Sequence, residues 1–184
     1  VMEGFTSYYD ELLLYRAGIY TEDEITRKLA GSINSIENQP GNKVMSAAES
    51  SFNAWIKGYR PNENSYNTSI SYYTKGSVIA NMLDLMIIES TKGKKSLDDV
   101  LRFLYQEYYK KQGRGFNISE MRTALEKVSG LDLKSFFDKY IFGTETFDYK
   151  TVFNYANYDM LIMENKRMNI GVSLSNNYIK SVTR

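Results

Sequence analysis

The sequence predicts a mainly α fold followed by a short β tail. Two observations carry that reading. Apolar residues fall at helical spacing through most of the first 143 positions, between repeated cap and stop signals. After Gly143 that period is lost, and β-branched and aromatic residues take over.

The elements follow in order. In the first helix Phe5, Tyr8, Tyr9, Leu12 and Leu13 share a face, and Gly18 is the stop. Thr21 and Glu24 form a T-x-x-E capping box for the second. Its Ile25, Leu29, Ile33 and Ile36 recur at near four-residue steps until Pro40-Gly41 breaks the pattern. Ser46 and Glu49 open a short helix that carries Phe52 and Trp55. The polar run RPNENSYNTS, residues 60–69, reads as a loop of about ten residues, long enough to suggest a functional use. From Lys75 to Glu89 runs a very apolar helix. Val78, Ile79, Met82, Leu83, Met86 and Ile87 cover one face, and Leu85 and Ile88 widen it, which places this helix at the centre. Ser96 caps the next helix, with Leu97, Val100, Leu101, Leu104, Tyr105 and Tyr108 toward the core. Asn117 and Glu120 start another, which ends at Gly130. Asp132 caps the last, through Phe136, Phe137, Tyr140 and Ile141, with Gly143 as its stop. The expectation is about six helices, long enough to pack on one another.

In the tail, NIGVSL and YIKSV read as short strands within residues 170–182. The chain divides near residue 150, into a helical part, 1–150, and a part, 151–184, too short to be an independent β domain.

Composition narrows the function. A chain of 184 residues that is 42% hydrophobic suits one compact domain with part of a second. A net charge of +1 gives no electrostatic footprint for nucleic acid. No apolar run is long enough for a membrane span, and no basic segment leads into an apolar core as in a signal peptide. Cysteine is absent, which removes disulfides and thiolate ligands and leaves the redox compartment open. Histidine is absent too, so this sequence by itself cannot supply a histidine-based zinc site. Either it is not such an enzyme, or it is a piece of one.

Two short stretches carry chemistry. In EGFTSYY, Glu3 precedes Gly4. Taken alone, Glu3 is an acid in the first turn of a helix. A helix also gives a carboxylate the fixed direction that metal ligation demands, and Gly4 lets another backbone or a substrate come close. In SYYTKG, Tyr72 and Tyr73 taken alone are aromatic packing at a helix entrance, in a chain with 16 tyrosines.

Together these stretches resemble a known group. EGFTSYY resembles the third-ligand motif of the gluzincin zinc peptidases, and SYYTKG resembles the Y-x-K-G motif of their aminopeptidase branch. AESSFNAWIKGYRPNENSYNTSISYYTKG, KKSLDDVLRFLYQEYY and SGLDLKSFFDKYIFGTE are similar to the glycyl aminopeptidase family, which joins a thermolysin-like catalytic domain to a PDZ domain. The likeness covers roughly residues 1–150. NIGVSLSNNYIKSVTR is similar, with much less specificity, to the first strands of the PDZ domain.

The resemblance implies a zinc-dependent aminopeptidase that releases N-terminal glycine, or other small residues, from peptides. It implies an upstream H-E-x-x-H helix with two histidine ligands and a catalytic glutamate, about twenty residues before Glu3. That helix is not in this sequence. The expectation is therefore the helical C-terminal half of a catalytic domain, with the N-terminal half as its partner. Alone it should be inactive and should not bind zinc as the parent does. Glu3 is the expected zinc ligand. Tyr73, three residues before Gly76, is the expected transition-state donor. Tyr72 is expected to point elsewhere, because adjacent helical residues do not share a face. Glu3 and Tyr73 are expected to open on one cleft.

Other residues stay open. Tyr9 fits the core, and Thr6 fits either the core or the surroundings of the ligand. Lys75 reads as structural, an ion-pair partner or a solvated helix-start residue. Glu49, Ser50 and Ser51 fit a capped helix start or a substrate contact. Arg60 fits a plain surface arginine or a clamp for a substrate carboxylate. The competing class is a non-catalytic helical module that binds a peptide or protein, which the absence of histidine supports at face value.

Overall fold

A computed structural model describes residues 2–161 and the backbone of residues 172–175 and 178–182. The described residues hold nine α-helical segments, several of them single turns. The helices are α1 (Met2–Arg16), α2 (Glu22–Glu37), α3 (Ala47–Phe52), α4 (Ser65–Thr68), α5 (Tyr72–Ser90), α6 (Leu97–Leu104), α7 (Ile118–Ser129), α8 (Lys134–Phe136) and α9 (Tyr149–Asn154). A 3-10 turn at Pro40–Lys43 links α2 to α3, and π-helical turns prolong α3, α6 and α8.

Local chemistry sets most boundaries. Thr21 with Glu24 and Asn117 with Glu120 form complete capping boxes, in which each cap oxygen takes an orphan N–H and each glutamate returns to the cap's own N–H. Ser96 forms a third with Asp99. Gly130 ends α7 in the left-handed conformation, at φ 75°, which costs glycine nothing.

Helix α5 is the axis of the core. Val78, Ala80 and Met82 have no exposed surface, and Leu83 and Ile87 are almost as deep. Each large apolar side chain buried this way contributes roughly 1.5–3 kcal/mol. Against α5 lie Phe5 of α1, Ile33 and Ile36 of α2, Leu97 and Val100 of α6, and Met121 and Leu125 of α7. Helices α1 and α5 run in the same direction. Gly4 meets Gly76 near both helix starts, and farther along the Tyr8 hydroxyl donates to Asp84 at 2.5 Å.

Asp84 is an acid on the apolar axis, 4% exposed. It accepts from the Leu97 amide at 2.7 Å as well as from Tyr8, so one carboxylate joins α1, α5 and the start of α6. Burial raises its pKa, and the two hydrogen bonds pull it back. Next to it, Asp98 accepts from the Tyr9 hydroxyl at 2.7 Å and pairs with Arg16 at 2.9 Å. Tyr9 thus packs against the core with its polar tip satisfied, as its spacing implied.

The structure departs from the sequence expectations in four places. Helix α5 begins at Tyr72, capped by Ser71, not at Lys75. Its first turn is not apolar on one face, so periodicity missed it. The polar stretch 60–69 contains the helical turn α4 rather than loop alone. Asp132 does accept from the Lys134 amide at 2.9 Å, but Leu133 occupies the cap position of α8. Residues after Gly143 were expected to lack helix, yet α9 forms, with Asp148 capping it and Tyr149 and Phe153 buried one turn apart. Two turns are too few to show a period.

In the tail, β1 (Val172–Ser175) pairs antiparallel with β2 (Tyr178–Val182). The register runs from Val172 opposite Val182 to Ser175 opposite Tyr178, with a shift between Ser173 and Leu174. YIKSV is strand as expected, and so is the described part of NIGVSL, Val172 to Leu174. Asn169 to Gly171 lie outside the described residues.

Candidate active site

The two glycines of EGFTSYY and SYYTKG are each other's neighbours. A Cβ built on Gly76 would stand 2.7 Å from Gly4 Cα, and one on Gly4 would stand 2.5 Å from the Gly76 carbonyl carbon. Real carbon–carbon contacts need about 3.5–4.0 Å. Only glycine at both positions lets the two backbones touch, which is the close approach that Gly4 suggested. The contact sets the first turns of α1 and α5 side by side, and with them Glu3 and Tyr73.

Glu3 is exposed on the first turn of α1. No hydrogen bond or ion pair engages its carboxylate among the described residues. It lines a shallow hollow with Met2, Ser51, Phe116, Asn117, Ile118 and Met121. Hydrogen bonding is the largest influence on the pKa of both Tyr59, which is lowered, and Tyr73, which is raised; the Glu3 charge reaches both as a minor upward push. Thr6 donates to the Glu3 carbonyl at 2.8 Å from an exposed position, so it braces the helix start rather than the core.

The first turn of α5 is held from three sides. Ser50 of α3 makes a short, buried hydrogen bond to the Ile70 carbonyl. The Gln39 amide donates to the Ser69 carbonyl at 2.6 Å. Lys75, 1% exposed, donates to Asn42 at 2.8 Å. Lys75 is therefore structural, but it is neither solvated nor directly ion-paired: its partner is a buried amide on the 3-10 turn. Burial pulls its pKa down, and the more distant Glu37 partly restores it. Glu37 is itself anchored by the Tyr149 hydroxyl at 2.7 Å.

Tyr72 does not point away from Tyr73. Their rings lie 4.4 Å apart, and both hydroxyls lie 3.2 Å from the hydroxyl of Tyr59. The rule that adjacent residues diverge applies to Cβ directions. At a helix start no preceding turn confines the long phenol arms, so they lean together onto a shared partner. Tyr59 sits on the π-helical turn after α3, fixed by its amide to the Ala54 carbonyl at 2.8 Å and by the Trp55 ring at 5.1 Å. Tyr73 is 36% exposed and Tyr72 is half-buried. Hydrogen bonding to Tyr59 is the largest cause of the raised pKa of Tyr72 and of Tyr73, and their bonds lower that of Tyr59.

The remaining sequence candidates lie at the margin. The Glu49 amide donates to Ser46, but the Glu49 carboxylate turns to Lys57 at 3.3 Å instead of closing a capping box. Ser51 borders the Glu3 hollow, and Arg60 is exposed. Sequence reasoning missed Tyr59 and Asn42. Neither carries a local signal, since each acts across a gap in sequence.

The described residues contain no group of three or more acidic, histidine or cysteine side chains able to hold a metal. Glu3 fits one position in a ligand set and not a whole set. No described helix is long and apolar enough to cross a membrane.

Residues 1–79 match the model of the M61 glycyl aminopeptidase family. No curated protein matches the chain. Among solved structures, an aminopeptidase N family protein from Idiomarina loihiensis superposes with a TM-score of 0.77 and 33% sequence identity. That match covers 83% of this chain and 26% of the other, so the chain spans about a quarter of the solved protein's length. The sequence of this chain thus resembles the M61 glycyl aminopeptidase family over its first 79 residues, and its mainly α fold is that of a helical part of an aminopeptidase N family protein.

Proposed function

We propose that this chain supplies the helical side of the active centre of a zinc-dependent aminopeptidase that removes glycine or another small residue from peptide N-termini. The observation that supports this reading is the Gly4–Gly76 contact, which sets the turns carrying Glu3 and Tyr73 side by side. Glu3, exposed and unengaged, would be one ligand, and two histidines of an H-E-x-x-H helix outside this sequence would be the others. Bound zinc would supply Lewis-acid polarisation of the scissile carbonyl and an activated water. Tyr73 donates its proton in a hydrogen bond to the substrate carbonyl oxygen as that oxygen gains charge. A phenol with its ordinary pKa of about 10 keeps its proton near neutrality, so Tyr73 is available as a donor. Without the histidines the chain alone turns over no peptide. The hairpin β1–β2 is read as the start of a PDZ-like region within residues 151–184.

The test uses the enzyme that unites this chain with its H-E-x-x-H helix. Tyr73→Phe should keep fold and zinc content and lower kcat by roughly 10²–10³, as for loss of one oxyanion donor. Glu3→Ala should lower zinc affinity, read by metal analysis after dialysis. A fully active Tyr73→Phe enzyme overturns the reading.

A further inference from the structure

Three phenols meet at the open end of α5, and the proposed chemistry uses one. Tyr59 is the hub: its oxygen lies 3.2 Å from that of Tyr72 and 3.2 Å from that of Tyr73. No cation and no carboxylate hydrogen-bonds to any of the three hydroxyls among the described residues. The charged groups nearby are Glu3 across from them on α1 and Lys57 on the same turn as Tyr59, already paired with Glu49. Among the described residues the three hydroxyls are one another's hydrogen-bond partners.

Counting protons decides how. Three hydroxyls own three protons, and two internal hydrogen bonds consume two. One proton is left to donate outward. If Tyr73 donates to Tyr59, its proton is spent inside the cluster. If Tyr72 donates to Tyr59 and Tyr59 to Tyr73, both internal bonds survive and the Tyr73 proton is free. Tyr72 is the half-buried end and Tyr73 the exposed end, so the outlet lies at Tyr73. Hydrogen bonds aligned head to tail polarise each other, and the last donor becomes the strongest.

Resting on the reading of Tyr73 given above, we propose that Tyr59 is a positioning residue: it takes over as donor within the cluster, so that Tyr73 can give its hydrogen bond to the substrate carbonyl while its own oxygen stays held. Tyr72 feeds the same chain from behind. The reorganisation is a rotation of hydroxyl protons, with no bond to carbon, nitrogen or metal made or broken.

The test has two arms. In the assembled enzyme, Tyr59→Phe should lower kcat about 2- to 10-fold with KM unchanged, the worth of one ordinary hydrogen bond. The double variant Tyr59→Phe/Tyr73→Phe should fall no further than Tyr73→Phe alone, because Tyr59 acts only through Tyr73. Full kcat for Tyr59→Phe, or losses that multiply in the double variant, would overturn the proposal. In the 184-residue chain itself, with no activity measurement needed, tyrosine labelled at ring Cζ reports the hydroxyl bonds by NMR. Tyr59→Phe should shift the Tyr72 and Tyr73 resonances and leave Tyr66, which bonds the Asn38 carbonyl, in place. Unmoved Tyr72 and Tyr73 signals would also overturn it. A fully active Tyr73→Phe enzyme would remove the underlying reading and this inference together, whereas a defect in Tyr73→Phe alone would leave that reading standing and remove only the role of Tyr59.

Discussion

Gly76→Ala tests whether the backbone contact between α1 and α5 is as tight as the structure shows. The new methyl carbon would lie 2.7 Å from Gly4 Cα. An ordinary contact needs about 3.5–4.0 Å, so the helices must part by about 1 Å. Overpacking of this kind costs about 1–3 kcal/mol. The upper end applies, because the obstacle is backbone and no rotamer change relieves it. Alanine recovers about 1 kcal/mol as the better helix former. The expected net loss is about 2 kcal/mol, or a Tm lower by roughly 4–8 °C at this chain size. Gly31→Ala is the matched control. Gly31 lies within α2 with nothing inside 4 Å of a built Cβ, so the same substitution should stabilise by about 0.4–1 kcal/mol. Urea and thermal unfolding of the two variants measure the difference. Equal stabilisation by Gly31→Ala and Gly76→Ala would refute the contact. In the assembled enzyme the same 1 Å displacement should cut kcat by about 10²-fold, through misplacement of Glu3 relative to Tyr73.

Asp84→Ala strands the Leu97 amide and the Tyr8 hydroxyl and should cost about 2–4 kcal/mol in urea unfolding, with Asp84→Asn retaining part of that. Burial lowers the pKa of Lys75, so the unfolded chain binds its proton more tightly than the folded one. Stability contributed by Lys75 should therefore rise as pH climbs from the depressed value toward the ordinary lysine range, and Lys75→Met should lack that rise when unfolding is followed against pH. Gly130→Ala places a side chain at φ 75° and should destabilise the chain by about 1 kcal/mol in the same assay.

What was legible in the sequence was local or periodic. The boxes at Thr21 and Asn117 involve residues three apart, and the apolar face of α5 repeats over several turns, so both could be read directly. The first turn of α5 was hidden, because Tyr72 and Tyr73 face other elements rather than the main core. Asp84 was not singled out in the sequence, because its purpose depends on Leu97 and Tyr8, which belong to other helices. Lys75 with Asn42 and Tyr59 with its two partners likewise depend on other elements. Glu3 and Tyr73 could be singled out only through motif resemblance. Their neighbourhood follows from the meeting of Gly4 and Gly76, which no period in either helix encodes.

The internal start of α5 has an electrostatic consequence. Aligned peptide dipoles leave about half a positive charge at a helix start. Behind its Ser71 cap, that end of α5 carries Tyr72 and Tyr73, and the Gly4–Gly76 contact sets it beside the turn of α1 that carries Glu3. It favours a nearby negative charge by about 0.3–1 kcal/mol. The donors of that field are amides, which do not titrate in the physiological range. The face is thus biased toward anionic groups at every working pH, without spending a lysine or an arginine that would compete for the Glu3 carboxylate.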